Sequence, residues 1–448
     1  MQEKRTGLGP VSERTILDAC GERALPRMGV VEQQWETDPL TPEEVESRAA
    51  EAVERLDLDG VPAGGEVAVG AGSRGIANLT DLVGGVVRGL RERGYEPFVF
   101  PAMGSHGGAT AEGQREVLAE RGVTEDGVGC EVRATMEVEK VGETPDRGVP
   151  VYADANAAAA DGIVPVNRVK PHTDFSGDVE SGLSKMLVIG MGKQRGAKTA
   201  HEWAVNWSFR RMIPEIASLH LEELPVVGGV AVVEDQHDDT ALVEGVPPSG
   251  FLDREAELLE TAYEHLPTLP FDDLHVLVVD RLGKDVSGSG MDTNVVGRLN
   301  FGPEPEPDYP DYDRIFVRSL TEQSHGNAAG LGMADLIHAD LLEAYDPEPT
   351  LINTLTSSSV RAARVPAAVE TDRAGLVAAC STVGVVPDGE LRVARVTDTM
   401  RLGRFYASEA LVEEARKRDG LAVVAEPEEL AFDEDGNFAD GSPAPVDH

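Results

Sequence analysis

The residues best suited to chemistry in this chain are a few histidines and one lysine, drawn from ten histidines and eight lysines in 448 residues. Four of the lysines (Lys170, Lys185, Lys193 and Lys198) fall between positions 170 and 198. Over positions 162–211, Arg168, Arg195, Arg210 and Arg211 join them against only Asp174, Asp178, Glu180 and Glu202, a local excess of four positive charges in a chain of net charge −40. Such a reversal fits an anionic ligand held by Lys, Arg and backbone N–H groups. Its rival is internal salt bridging to the acidic remainder.

Among the histidines, His106 lies in GSHGG, where small neighbours let a ligand approach the backbone, and His172 follows Lys170 and Pro171 in a turn after a strand. An imidazole near neutral pKa can take a proton and return it, so two of them on opposite faces of one carbon suit a racemase or epimerase. Lys185, in GLSKMLVIGMG, has apolar residues on its C-terminal side. Partial desolvation there would make it a nucleophile or a covalent anchor, and the plain alternative is a lysine snorkelling from a helix end. His201 follows GAKTA near a helix start, and no HxH or HExxH pattern accompanies it. If it binds a metal, a cofactor must bring the remaining donors.

The elements that position these residues read as α/β. Strands are expected at 66–70, 97–101, 162–166 and 225–233, with helices at 42–56, 78–93 and 111–121. That spacing predicts a parallel sheet with crossover helices, and AGSRG and GSHGG fall at strand carboxyl ends, where such sheets bind ligands. A second unit begins at 275–280 (HVLVVD) and continues through strands at 314–319 and 391–396. The expected architecture is two Rossmann-like domains with mostly parallel sheets and an active-site cleft between them. The domains are 1–270, which binds the cofactor, and 271–408. A helix and strand at 409–425 return to the N-terminal domain, and 426–448 is a flexible acidic tail.

Composition narrows the function. The pI near 4.5 makes nucleic acid and anionic membranes improbable partners and suits a carboxylate-rich surface in a salt-rich, halophilic cytoplasm. Cys20, Cys130 and Cys380 are too scattered for an iron–sulfur or structural zinc site. The N-terminus lacks an apolar signal region and no apolar run is long enough to span a bilayer, so a cytoplasmic location is expected, with a homo-oligomer allowed.

The order SRG, GSHGG, KPH, SK and AHEW resembles the lactate racemase family and its relatives among nickel-pincer-dependent hydroxyacid racemases and epimerases. The resemblance spans about 74–410 and is strongest over 162–203. It implies a pyridinium mononucleotide with sulfur-bearing arms, tethered to Lys185, whose carbon and two sulfurs hold nickel while His201 supplies the fourth ligand. The sixteen residues from Lys185 to His201 match the family's separation. It also implies His106 and His172 as the acid–base pair, Arg74 as a substrate-binding arginine, and proton-coupled hydride transfer on a small anionic 2-hydroxy acid. Asn294 and Arg298, in GKDVSGSGMDTNVVGR, stand nearest to where the lactate enzymes carry a substrate-contacting Gln and Lys. The longer stretch between His172 and Lys185, together with SHGNAAG at 324–330, points to a distinct subgroup acting on a larger hydroxy acid or polyol acid. The competing functions are a phosphate- or nucleotide-binding transferase, against which stands the lack of GxxxxGK[ST] and GxGxxG, and a non-catalytic sensor of an acidic metabolite.

Overall fold

The computed structural model describes residues 9–21, 23–72, 75–299, 304–387 and 389–439. The first half of the chain forms strands β1 (Met28–Gln33), β2 (Glu66–Ala71), β3 (Glu96–Pro101), β4 (Val138–Glu143), β5 (Pro150–Asp154), β6 (Gly162–Arg168), β7 (Gly229–Glu234) and β8 (Thr240–Val246). The second half adds β9 (Asp273–Leu282), β10 (Asp311–Leu320), β11 (Leu336–His338), β12 (Ala367–Val369), β13 (Val393–Val396), β14 (Arg404–Ser408) and β15 (Leu421–Glu428). Two compact units result, one of Thr37–Leu266 and one built from the segments before and after it.

The Thr37–Leu266 unit is a three-layer α/β sandwich on a five-stranded sheet of order β3-β2-β6-β7-β8. All its pairings are parallel except β7 with β8. Its central strands are apolar on both faces, as a sheet covered on both sides requires. Val67, Val69, Val99, Val164, Val166, Val230 and Val232 join the helices Pro42–Ala52 and Leu79–Glu92 in one core. Ala68, Phe98, Phe100, Ile163, Ala231 and Val233 point the other way, into a core closed by Leu183, Met186, Leu187 and the helix Phe251–Glu264. This period-2 alternation commits each strand's register. It also lays the Lys185 segment directly on the sheet.

The other unit has an eight-stranded sheet of order β12-β11-β10-β9-β13-β14-β1-β15, parallel from β12 to β13 and antiparallel from there to β15. The mostly parallel α/β class expected from the sequence is therefore what forms. The boundaries differ. Residues 28–33 pair with β14 and β15, so the chain's beginning belongs with its end and not with 37–266. The helix Glu409–Ala415 and strand β15 likewise stay with this unit. The described part of the expected flexible tail is ordered. Phe438 lies over Arg395 and Arg318, with the guanidinium carbons 4.1 and 5.1 Å from its ring centre, and its N–H donates to Asp372 at 2.9 Å. Those aromatic and hydrogen-bonding contacts dock 431–439, and positions 440–448 lie outside the described residues. No helix among the described residues is long and apolar enough to cross a membrane.

Candidate active site

Sheet order locates the site within Thr37–Leu266. The chain runs from β2 outward to β3, then crosses back to place β6 on the opposite edge of β2. The carboxyl ends of β2 and β6 thus flank a topological switch point, the place where open α/β sheets bind ligands. Gly72, just past β2, sits so close that a Cβ would lie 3.2 Å from Met186 Cε and 3.3 Å from Asn167 Oδ1. Loops carrying His106 (after β3) and His172 (after β6) leave from the same edge. With strands about 4.8 Å apart, their starting points are about 10 Å from each other.

The loop after β6 is stapled at its base by backbone bonds between Lys170 and Ser181, at 2.9 and 3.2 Å. A buried carboxylate, Glu180, organises its interior. It accepts the His172 N–H at 2.6 Å, the Gly177 N–H at 3.0 Å and the Tyr263 hydroxyl at 2.9 Å. Burial raises the Glu180 pKa above the ordinary range against the pull of these donors. His172 accepts the Asp174 N–H on Nδ1 at 2.9 Å, so the neutral ring carries its proton on Nε2.

Lys185 ends a short helical turn that continues as a π-helical turn, Met186–Gly190, a geometry that recurs at functional sites. Leu183 and Leu187 on either side are fully buried, each stabilising the turn by about 1.5–3 kcal/mol, while Lys185 itself is half-buried. A second buried carboxylate, Glu255, reaches across from the Phe251–Glu264 helix. It accepts the Ser184 N–H at 3.0 Å as well as the Ser184 hydroxyl. A Cβ on Gly182 would meet Glu255 Oε1 at 2.0 Å, so only glycine admits this approach. Burial holds the Glu255 carboxyl up to about 7.

His201 lies on the helix Lys193–Trp207, half-buried beside the stripe Ala197, Ala200 and Ala204 that packs inward. Rings link it to His172. His172 stacks on Phe175 at 4.6 Å, Phe175 meets Phe209 at 5.4 Å, and His201 stands edge-on to Phe209 at 5.2 Å. Desolvation lowers the His201 pKa, and the nearby Lys185 charge adds to it while Asp174 opposes. The imidazole is therefore neutral at pH 7, the form that can donate to a metal. His172, Lys185 and His201 share one region.

His106 is exposed on the loop after β3, where Gly104, Gly107 and Gly108 all have positive φ. Gly104 N–H donates to Gly190 O at 3.0 Å, tying this loop to the turn that follows Lys185. Arg74 lies outside the described residues. Asn294 belongs to the other unit, as does Arg298. Its guanidinium donates to Met333 O at 2.7 Å, Asp335 Oδ2 at 2.8 Å and Tyr312 O at 2.8 Å, which is a structural commitment. Asp292 caps the short helix Thr293–Val296, its Oδ1 accepting the Asn294 backbone N–H at 2.9 Å and the Asn294 Nδ2–H at 3.1 Å. The basic island is also partly internal, since Arg168 pairs with Glu234 and Lys193 with Asp154, while Lys198 makes an exposed pair with Glu202. Sequence reasoning missed Glu180, Glu255 and Lys193 as organisers. Each stands among polar or charged neighbours (GDVESG, DREAE and GKQRG), so no local signal marks it as buried.

Among the described residues, no group of three or more His, Cys, Asp or Glu side chains could hold a metal ion. A lone neutral imidazole next to a half-buried amine fits a metal whose other donors arrive on a lysine-bound carrier. It does not fit a zinc or iron site built from side chains.

No family model and no curated protein matches this chain. Similar solved structures include a protein from Thermotoga maritima, 15% identical over 73% of this chain and 84% of that one, with a TM-score of 0.46. Another is the lactate racemase apoprotein from Thermoanaerobacterium thermosaccharolyticum, 12% identical over 83% of this chain and 84% of that one, with a TM-score of 0.41. At such identities and scores, the functional reading rests on the residues themselves.

Proposed function

We propose that the chain is an isomerase, a racemase or epimerase of a 2-hydroxy acid, that carries a nickel-pincer nucleotide on Lys185 and ligates its metal through His201. The carrying observation is the convergence of His172, Lys185 and a neutral His201 at one switch point. When bound, such a cofactor supplies a hydride acceptor and donor. The protein's own work is proton handling and placement. Lys185 is held by Leu183, Leu187 and the Ser184–Glu255 bond so that its amine can anchor the cofactor's organic part. His201 needs no deprotonation before it binds metal.

The two catalytic imidazoles start unequal. His172, with Nδ1 engaged by Asp174, enters as a donor from Nε2 and can steady the oxygen of the hydroxyl or carboxylate. His106, on a glycine loop with room for a ligand, takes the hydroxyl proton first and returns it afterwards. Arg74 would pair with the substrate carboxylate.

Chiral chromatography of 2-hydroxy acids incubated with protein from its native cell tests the reading. Interconversion of enantiomers or epimers should occur in the parent and vanish in Lys185→Ala, while His201→Ala should lose nickel and keep the tethered organic part. Turnover persisting in both variants refutes the assignment.

A further inference from the structure

We propose that Lys193 and Gln114 are positioning residues that suspend the His106 loop from the helix carrying His201; this rests on the reading of His106 as an acid–base group. Lys193, Gln114 and Asp154 are each 0% exposed. The Lys193 ammonium donates to Gln114 Oε1 at 3.1 Å and, closely, to the carbonyl of Pro101, the last residue of β3, and forms an ion pair with Asp154 Oδ2 at 2.9 Å. Gln114 uses its oxygen for that ammonium, which fixes the amide's orientation. Its two N–H groups then donate to Gly104 O at 2.9 Å and His106 O at 3.3 Å. The other Asp154 oxygen accepts Asn156 N–H and Ala157 N–H at 2.8 and 3.0 Å, so the far end of the chain is anchored too.

With all three side chains out of reach of solvent, a network of this kind is stiff, because water does not readily replace a lost partner. Lys193 opens the His201 helix with φ of 54°, a left-handed conformation that a non-glycine residue keeps only where its surroundings impose it. Burial pulls its pKa below that of an ordinary lysine while Asp154 opposes. The loop at the other end is held by backbone bonds, among them Gly104 N–H to Gly190 O at 3.0 Å, and by Gln114. Gly104, Gly107 and Gly108 have no side chains to anchor it, and His106 is exposed. Gln114 thus adds a side-chain tie between the His106 loop and the start of the His201 helix, beside the Gly104–Gly190 backbone bond. Lys193 is spent on this task and contributes no charge to an anionic ligand.

Hydrogen exchange measured on the whole protein tests this without cofactor or substrate. Gln114→Glu keeps a partner for Lys193 but removes both donors to the loop, and Gln114→Met, neutral and similar in volume, repeats the test should the carboxylate prevent folding. The expected result is roughly tenfold or faster exchange at residues 104–110, the consequence of two lost hydrogen bonds, with the 193–207 helix as protected as in the parent. Turnover of a hydroxy acid should fall in kcat with KM within about twofold, the pattern of a displaced acid–base group. Unchanged loop exchange in a folded variant overturns the proposal, and so does equal loosening of loop and helix, which marks a general packing role. Should the parent prove to have no hydroxy-acid turnover, the functional reading fails while the exchange result still decides the positioning claim.

Discussion

Replacing Glu255 by glutamine should leave a protein whose stability, compared with the parent, rises with pH. Glu255 is completely buried, and its partners are the N–H groups of Leu183 and Ser184 and the Ser184 hydroxyl, with no cation among them. Burial is thus the leading cause of a carboxyl pKa held up to about 7 rather than 4.5. Below pH 4.5 the group is protonated in folded and unfolded chains alike and costs nothing. As pH rises from 4.5 to 7 the unfolded chain releases its proton while the folded chain keeps it, and the native state loses ground until both forms are ionised. At 1.36 kcal/mol per pH unit that interval amounts to about 3 kcal/mol. Glutamine has no proton to release, so the variant escapes the whole loss. Its constant offset, from exchanging one acceptor oxygen for an amide, does not vary with pH. The assay is denaturant unfolding of parent and variant from pH 4 to 8 at constant high salt, where every other titrating group cancels in the difference. A gap that widens by about 3 kcal/mol in the variant's favour agrees with the geometry. A gap that stays flat refutes it, since Glu255 would then titrate like an exposed carboxylate.

Other outcomes follow from the same reasoning. His220 is fully buried with Ile216 O at 3.0 Å and Tyr152 O at 3.3 Å from its ring nitrogens, and burial brings its pKa down to about 4. Its contribution is intact above pH 6.5 and drains away as pH falls toward 4, so His220→Gln should flatten an acid-side loss of about 3 kcal/mol in the same unfolding series. Glu180→Gln takes an acceptor oxygen from the His172 and Gly177 N–H groups and the Tyr263 hydroxyl and should cost about 1–3 kcal/mol for each donor left unsatisfied, read as faster hydrogen exchange at 172–178 with β6 unaffected. His106→Ala and His172→Ala should each lower hydroxy-acid turnover by at least about two orders of magnitude, measured as kcat, while nickel content stays at the parent level.

Strands with strong apolar runs were readable from sequence because burial on both faces leaves a plain signal: EVAVG, PFVFP, GIVPV and HVLVVD all became core strands. Helix starts such as Thr41–Pro42, with a capping box closed by Glu44, were local and equally plain. The antiparallel extension was not. MGVVEQ carries no hint that it pairs with residues 404–408 and 421–428, nearly four hundred positions away. Buried charges failed for the same reason. Nothing near Glu255 in sequence tells of Ser184, and nothing near Lys193 tells of Asp154 or Gln114, because a partner far along the chain decides whether a charge can be buried. The excess of basic residues at 162–211 looked like a ligand cradle, yet two of its charges, Arg168 and Lys193, pair with the buried Glu234 and Asp154 outside the segment. What the sequence had grouped through His172, Lys185 and His201 does fold into one region. Their nearness follows from the loop after β6 and the helix beyond it belonging to one side of one sheet.

The most direct test is mass spectrometry on protein purified from its native cell, with intact mass, nickel content and peptide mapping taken on the same sample. The account expects about one nickel per chain and a mononucleotide-sized adduct on the peptide containing Lys185, both absent from Lys185→Ala. An unmodified Lys185 in protein that still interconverts hydroxy-acid isomers would contradict it.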